Sequence, residues 1–183
     1  MNVVESSIPG AWIIDSTALR DGRGAFTRLF CSRELEAIFG HRTIVQINHS
    51  ATRRVGAIRG LHFQAPPHAE LKIVRCLRGR VYDVAVDLRH GSPAFLKWVA
   101  VELTAENQRA FLIPEGCAHG FQVLEADSQL LYLHTAFYTR GAEGGARYDD
   151  PRIGVNWPLE ATDVSDRDLQ HPYLGEDFSG IVL

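Results

Sequence analysis

The sequence predicts an all-β protein, a jelly-roll barrel or β-sandwich with short peripheral helices. Period-two alternation of apolar and polar residues recurs from residue 43 to 138, turn residues punctuate it, and helix-period stretches are scarce. The predicted strands cover 43–50, 71–77, 81–88, 95–103, 109–113 and 130–138. Between them stand Pro66-Pro67, Arg78-Gly79, Gly91-Ser92-Pro93, Glu106-Asn107 and Pro114-Glu115-Gly116, residues that favour turns. One helix of two turns is predicted over 32–39, with Ser32 as N-cap and Gly40 at its stop. A second starts in Ser165-Asp166-Arg167-Asp168 and ends by Pro172.

The chain has 183 residues, enough for one domain with a real core, and shows neither an internal repeat nor a low-complexity linker. Nineteen Lys and Arg stand against 22 Asp and Glu, a net charge of -3, which argues against general nucleic-acid binding while leaving room for a local basic pocket. With 45% hydrophobic and 22% charged residues, the composition is that of a folded protein. No apolar run approaches a membrane span; even the stretch from Phe95 to Leu103 is broken by Lys97 and Glu102. The N-terminal MNVVESSIPG lacks a basic segment followed by an apolar one, so a cytoplasmic location is expected. Cys31, Cys76 and Cys117 are odd in number and carry no CxxC, which reads as reduced thiols, mostly buried.

The strand period decides which side chains share a face. Gln46 and Asn48 point the same way, either into a barrel that holds a polar ligand or simply to solvent. Arg59 offers a planar fork of donors for a phosphate or a base carbonyl, and His62 is a candidate general base. Lys72 shares a face with Val74 and Cys76, which places an ammonium in an apolar wall; it is either functional or paired with Asp83 or Asp87. Tyr132, His134, Ala136 and Tyr138 point one way if the strand is continuous. The two tyrosines would then be about 20 Å apart, at opposite ends of an elongated ligand or packed in the core. His62, Gln64, His68 and His119 are scattered through the strands. His62-Phe63-Gln64 lacks a second His on the strand, so no metal is expected.

Taken together the residues resemble the dTDP-4-keto-6-deoxy-sugar 3,5-epimerases, a metal-free branch of the cupin fold. The matching blocks run in one order from Asp21-x-Arg23-Gly24-x-Phe26 through Gln46-x-Asn48-x-Ser50 and Arg59-Gly60-Leu61-His62-Phe63-Gln64 to Lys72-Ile73-Val74-Arg75. They continue through Asp83-Val84-x-Val86-Asp87-Leu88-Arg89, Ala118-His119-Gly120-Phe121 and Tyr132-x5-Tyr138 to Trp157-Pro158, with Asp168 beyond. The resemblance implies a cupin jelly roll spanning residues 1–183 and a homodimer that exchanges the arm 1–30. It further implies a nucleotide-sugar substrate and no cofactor. His62 would remove the proton at C5 or C3, Asp168 would support that imidazole, Lys72 would stabilise the C4 enolate, and Tyr132 would reprotonate from the opposite face. Arg59, Gln46, Asn48, His119 and Tyr138 would line the substrate site, and Arg23, Phe26 and Arg28 would lie on the arm that reaches into the partner's site.

The chain departs from the family pattern at Arg28, where the family carries a Glu that accepts from thymine N3–H. Arginine has no acceptor, so either the nucleotide differs or another residue reads the base. Leu96 stands where the family commonly has Gly, a change confined to a turn. For the support of His62, Asp166 is the alternative to Asp168. Two other functions fit the composition: a metal-dependent cupin oxygenase or isomerase, and a sugar-nucleotide-binding protein without catalysis.

Overall fold

A computed structural model describes all residues, Met1–Leu183. The strands are β1 (Asn2–Glu5), β2 (Trp12–Asp15), β3 (Ala18–Asp21), β4 (Gly24–Thr27), β5 (Gln46–Thr52), β6 (Ala57–Gln64) and β7 (Lys72–Arg78). They continue as β8 (Arg80–Asp87), β9 (Trp98–Thr104), β10 (Arg109–Ile113), β11 (Cys117–Val123), β12 (Ser128–His134), β13 (Glu143–Gly145) and β14 (Asp163–Val164). The helices are α1 (Glu36–Phe39) and α2 (Asp166–Leu169). One six-stranded sheet has the order β1-β2-β10-β7-β12-β5; the other contains β13-β6-β11-β8-β9, with β14 beside β6. Strands β3 and β4 pair only with each other, as a hairpin arm. The all-β jelly-roll expectation holds.

The inner faces of the two sheets meet in one core, and the period-two pattern supplies it. Val74 and Cys76 of β7, Phe111 and Ile113 of β10, and Leu130 of β12 pack against Val81 and Ala85 of β8, Val101 and Leu103 of β9, and Phe121 and Val123 of β11. Both outer faces are covered as well. Leu35, Phe39 and Leu71 close over Ile73, Leu112 and Leu133. On the other side, residues 146–157 and the C-terminal segment close over Leu61, Val84, Val86 and Ala118. Strands covered on both faces lose their polar side, and β11 is buried throughout.

Several boundaries differ from the sequence expectation. The predicted helix over 32–39 shrinks to α1, capped by Leu35 rather than Ser32; residues 32–35 form turns, with Leu35 N–H donating to Cys31 O. Gly40 does end it, at φ 61°. The strand predicted over 130–138 ends at His134, so Ala136 and Tyr138 leave the pleat. Leu96 occupies the turn at φ 62°, a left-handed conformation in which glycine is least strained. Cys76 and Cys117 are buried and Cys31 partly so; burial pushes the first two thiols up to about 11 and about 12, which keeps them protonated.

Arg75, on the outer face of β7, fixes the base of the arm. Its guanidinium donates to Leu29 O at 2.9 Å, Gln108 O at 2.7 Å and Ser16 Oγ at 2.7 Å, so the chain is gripped on both sides of the β3–β4 hairpin.

Candidate active site

A cavity of about 620 Å³ opens at one end of the two sheets, within the size range of small-ligand sites. Gln46, Asn48, Arg59, His62, Lys72, His119, Tyr132, Tyr138 and Asp168 all line it. These residues come from both sheets, from α2 and from the loop after β12, so the fold gathers what the sequence spreads from Gln46 to Asp168.

Arg59 and His62 are three apart and would face opposite ways in a regular strand. A bulge resolves this: His119 pairs His62 while Phe121 pairs Arg59, so β6 carries one extra residue against β11. The crossing is tight. A Cβ on Gly60 would come within 2.5 Å of Gly120 Cα, and one on Gly120 within 2.8 Å of Arg59 O. Arg59 Nε then donates to Thr52 Oγ1 at 3.0 Å.

His62 Nε2 lies 2.7 Å from Asp168 Oδ1, while Asp168 Oδ2 accepts from Gly60 N–H at 3.2 Å. Ser165 caps α2 by accepting from Asp168 N–H, so the residue's backbone serves the helix and its carboxylate serves the imidazole. Asp168, not Asp166, is therefore the partner. Burial alone pushes the Asp168 carboxyl up, but His62, Gly60 N–H and Ser165 outweigh it and hold it below the usual range. With Nε2 engaged by Asp168, Nδ1 is the other ring nitrogen.

The structure corrects the partner of Lys72. Its ammonium pairs with Glu70 Oε1 at 3.0 Å, not with Asp83 or Asp87. Asp83 instead holds His119 Nε2 with both oxygens at 3.0 Å, and Asp87 binds Arg89 and Ser92. Glu70 also accepts from His134 Nδ1 at 2.6 Å. Burial raises its carboxyl, yet the His134 bond and the nearby charges bring it down to about 2. Tyr132, on the sheet opposite His62, sits edge-on to His119 and stacks on His134, with ring centroids 5.8 and 5.9 Å apart. Burial, with the Asp83 charge, pushes its phenol well above the ordinary tyrosine value, so it remains a proton donor. Tyr138 lies in the loop after β12, where its hydroxyl donates to Glu143 at 2.9 Å.

The four residues considered for a metal do not converge. His62 and His119 are taken by different carboxylates, Gln64 donates to His68 O, and His68 faces Thr139. His171 does come within 4.8 Å of the His62–Asp168 pair. The 2.7 Å contact in that pair is a direct hydrogen bond, shorter than the ~3.3 Å between two ligands around tetrahedral zinc. Arg23, Phe26 and Arg28 stand outside the cavity. Arg23 is bound to Asp21, Arg28 to Glu34, and Phe26 is 70% exposed on the arm. Glu70 and His134 were missed as site residues. His134 shares the Tyr132 face and was open to the period argument; Glu70 lies in a loop with no period to place it.

Comparison with known proteins agrees with this geometry. Residues 5–176 match the family model described as dTDP-4-dehydrorhamnose 3,5-epimerase. A Shigella flexneri dTDP-4-dehydrorhamnose 3,5-epimerase is 42% identical over 170 residues, 92% of this chain and 93% of its own. Among solved structures, dTDP-6-deoxy-D-glucose-3,5-epimerase of Legionella pneumophila Philadelphia 1, in complex with dTDP-4-keto-L-rhamnose, is 39% identical. It superposes with a TM-score of 0.88 over 93% of this chain and 90% of that one. A 3′-monoepimerase from Streptomyces bikiniensis, in complex with dTDP-quinovose, is 34% identical with a TM-score of 0.86 over 91% and 85% of the two chains. With the family match spanning nearly the whole chain and the relatives sharing its two-sheet barrel, this all-β cupin belongs to the dTDP-4-dehydrorhamnose 3,5-epimerase family of isomerases.

Proposed function

We propose that this chain inverts C3, C5 or both in a dTDP-linked 4-keto-6-deoxyglucose, on the path to a rhamnose-type deoxysugar. One observation carries the proposal: a 2.7 Å imidazole–carboxylate pair opens on the same cavity as a buried ammonium and the Tyr132 phenol.

The C3 and C5 protons flank the C4 ketone and are weakly acidic, so a base must be matched by stabilisation of the enolate. His62 removes the proton and Asp168 stabilises the imidazolium that forms. A well-placed base is worth roughly 10²–10⁴-fold. Lys72 offsets the charge that develops on the C4 oxygen, in a wall where water is scarce. Tyr132 returns a proton from the opposite sheet, which inverts the centre. No electron leaves the substrate, so the exchange needs only these side chains. Arg59, Gln46, Asn48, His119 and Tyr138 hold the sugar nucleotide.

The chain acts as one cupin domain over 1–183 and as a homodimer whose arms, residues 1–30, exchange so that Arg23 and Phe26 reach the partner's cavity. Arg28, already paired with Glu34, offers no acceptor to the base. The test is incubation with dTDP-4-keto-6-deoxyglucose in D₂O. Deuterium at C3, C5 or both supports the proposal, and its absence from both overturns it. Titration with dTDP, CDP and GDP checks the nucleotide, and dTDP is expected to bind tightest.

A further inference from the structure

The cavity wall carries a hydrogen-bonded chain that ends at Lys72, and two of its members, His134 and Glu70, have no part in the proposed epimerase chemistry. It starts at a backbone group: Tyr138 N–H donates to Gln46 Oε1 at 3.1 Å. Gln46 Nε2 donates to Asn48 Oδ1 at 3.3 Å, and Asn48 Nδ2 lies 3.3 Å from His134 Nε2. His134 Nδ1 meets Glu70 Oε2 at 2.6 Å, and the other Glu70 oxygen holds Lys72 Nζ at 3.0 Å.

A backbone N–H only donates, so it fixes the direction of every bond after it. Gln46 must present its oxygen to Tyr138 and its nitrogen to Asn48. Asn48 must then donate onward, which leaves His134 Nε2 as the acceptor and puts the imidazole proton on Nδ1. That proton points at Glu70. The side chains of Glu70, Lys72 and His134 are only 10%, 7% and 10% exposed, so the carboxylate is the counter-ion that offsets the cost of burying the ammonium.

We propose that Glu70 and His134 are positioning residues that hold the Lys72 ammonium in place and aimed into the cavity, a role that rests on Lys72 being the cation at the C4 oxygen. Glu70 sits in the loop before β7, where no pleat sets its direction. The His134 N–H sets it instead, and the polarity runs back to the Tyr138 loop.

The experiment compares steady-state kinetics of the wild-type protein, Lys72→Met, Glu70→Gln, Glu70→Asp and the double variant Glu70→Gln/His134→Leu, with thermal unfolding alongside. An amide at position 70 must turn its nitrogen toward either the imidazole N–H or the ammonium, so one donor always faces another. Glu70→Gln is expected to lose about 10²-fold in kcat with KM changed less than about threefold, as for loss of one electrostatic donor at a developing oxyanion. Glu70→Asp keeps the charge and recovers part of that loss. So does the double variant, because removing the imidazole frees the amide oxygen for Lys72. No recovery in the double variant overturns the role given to His134. Full activity in Glu70→Gln beside an impaired Lys72→Met overturns the inference and leaves the epimerase proposal standing. Full activity in Lys72→Met, or no deuterium exchange by the wild-type protein, overturns both. Should Glu70→Gln fail to fold, imidazole ¹⁵N spectra of the unmutated protein at pH 8 decide: a protonated Nδ1 and bare Nε2 on His134 support the chain, and the reverse tautomer overturns it.

Discussion

His62 shows how much one side chain depends on a neighbour 106 positions away. The imidazole is held by Asp168, and Asp168 is held in turn by Ser165 and Gly60 N–H. Replacing His62 with Ala removes the proposed base and is expected to cut deuterium exchange by roughly 10²–10⁴-fold. His41→Ala, on an exposed surface residue, leaves exchange unchanged. Asp168→Asn keeps the shape but not the charge, and a loss of about tenfold or more in kcat is expected from the weaker hydrogen bond to a developing imidazolium. Equal kcat in the Asn variant and the wild type would remove electrostatic support from the role of Asp168. At this scale the sequence displayed residue types better than partners. Lys72 could be read as a buried cation from Val74 and Cys76 beside it. Its anion could not, because Glu70 reaches it from a loop and both inward-facing aspartates, Asp83 and Asp87, were taken by other groups.

The elements were legible wherever one face of a strand stayed polar or a turn residue marked the end. Strand β10 was placed to the residue, and β7 and β8 within one. Strand β11 escaped because its continuous burial erases the alternation, and both β6 and β11 because Gly60 and Gly120 interrupt the pattern. Those glycines are the device that brings Arg59 and His62 to one face. Gly60 sits at φ 127° with a backbone atom 2.5 Å from where a Cβ would be, so it cannot accept a side chain without moving β11. Gly120→Ala meets Arg59 O and Leu61 Cδ2 at 2.8 and 2.9 Å, and a loss of about 1–3 kcal/mol is expected for overpacking of this kind. Chemical denaturation measures it. A stability equal to wild type would mean the β6–β11 crossing gives way more easily than its contacts imply.

Over the whole molecule, acid sensitivity follows from the distribution of charge. Glu70, Asp87 and Asp168 all have carboxyl pKa values below the ordinary range, with Glu70 at about 2. Such groups bind protons more tightly unfolded than folded, so their stabilisation is complete above about pH 4.5 and drains away as pH falls toward 2. Thermal unfolding midpoints are expected to drop over that window, and Glu70→Gln to flatten the drop. The arm makes the second large-scale claim. Its hairpin carries the cross-strand pair Leu19 and Phe26 at 69% and 70% exposure, and Arg75 grips only its base, so the outer part of the arm is uncovered within one chain. If the arm completes a partner's cavity, the two halves of a site are supplied by different subunits. A His62→Ala chain then keeps a working arm, and an Arg23→Ala chain keeps a working cavity. Each homodimer is expected to be impaired, yet a mixture refolded together forms heterodimers in which one of the two sites has an intact cavity and an intact arm. At equal mixing about half of the dimers are heterodimers, and recovery of up to a quarter of wild-type activity is expected from that pairing in a two-fold symmetric oligomer. Activity no greater than the average of the two separate variants would place the arm in its own subunit's service and remove the exchange.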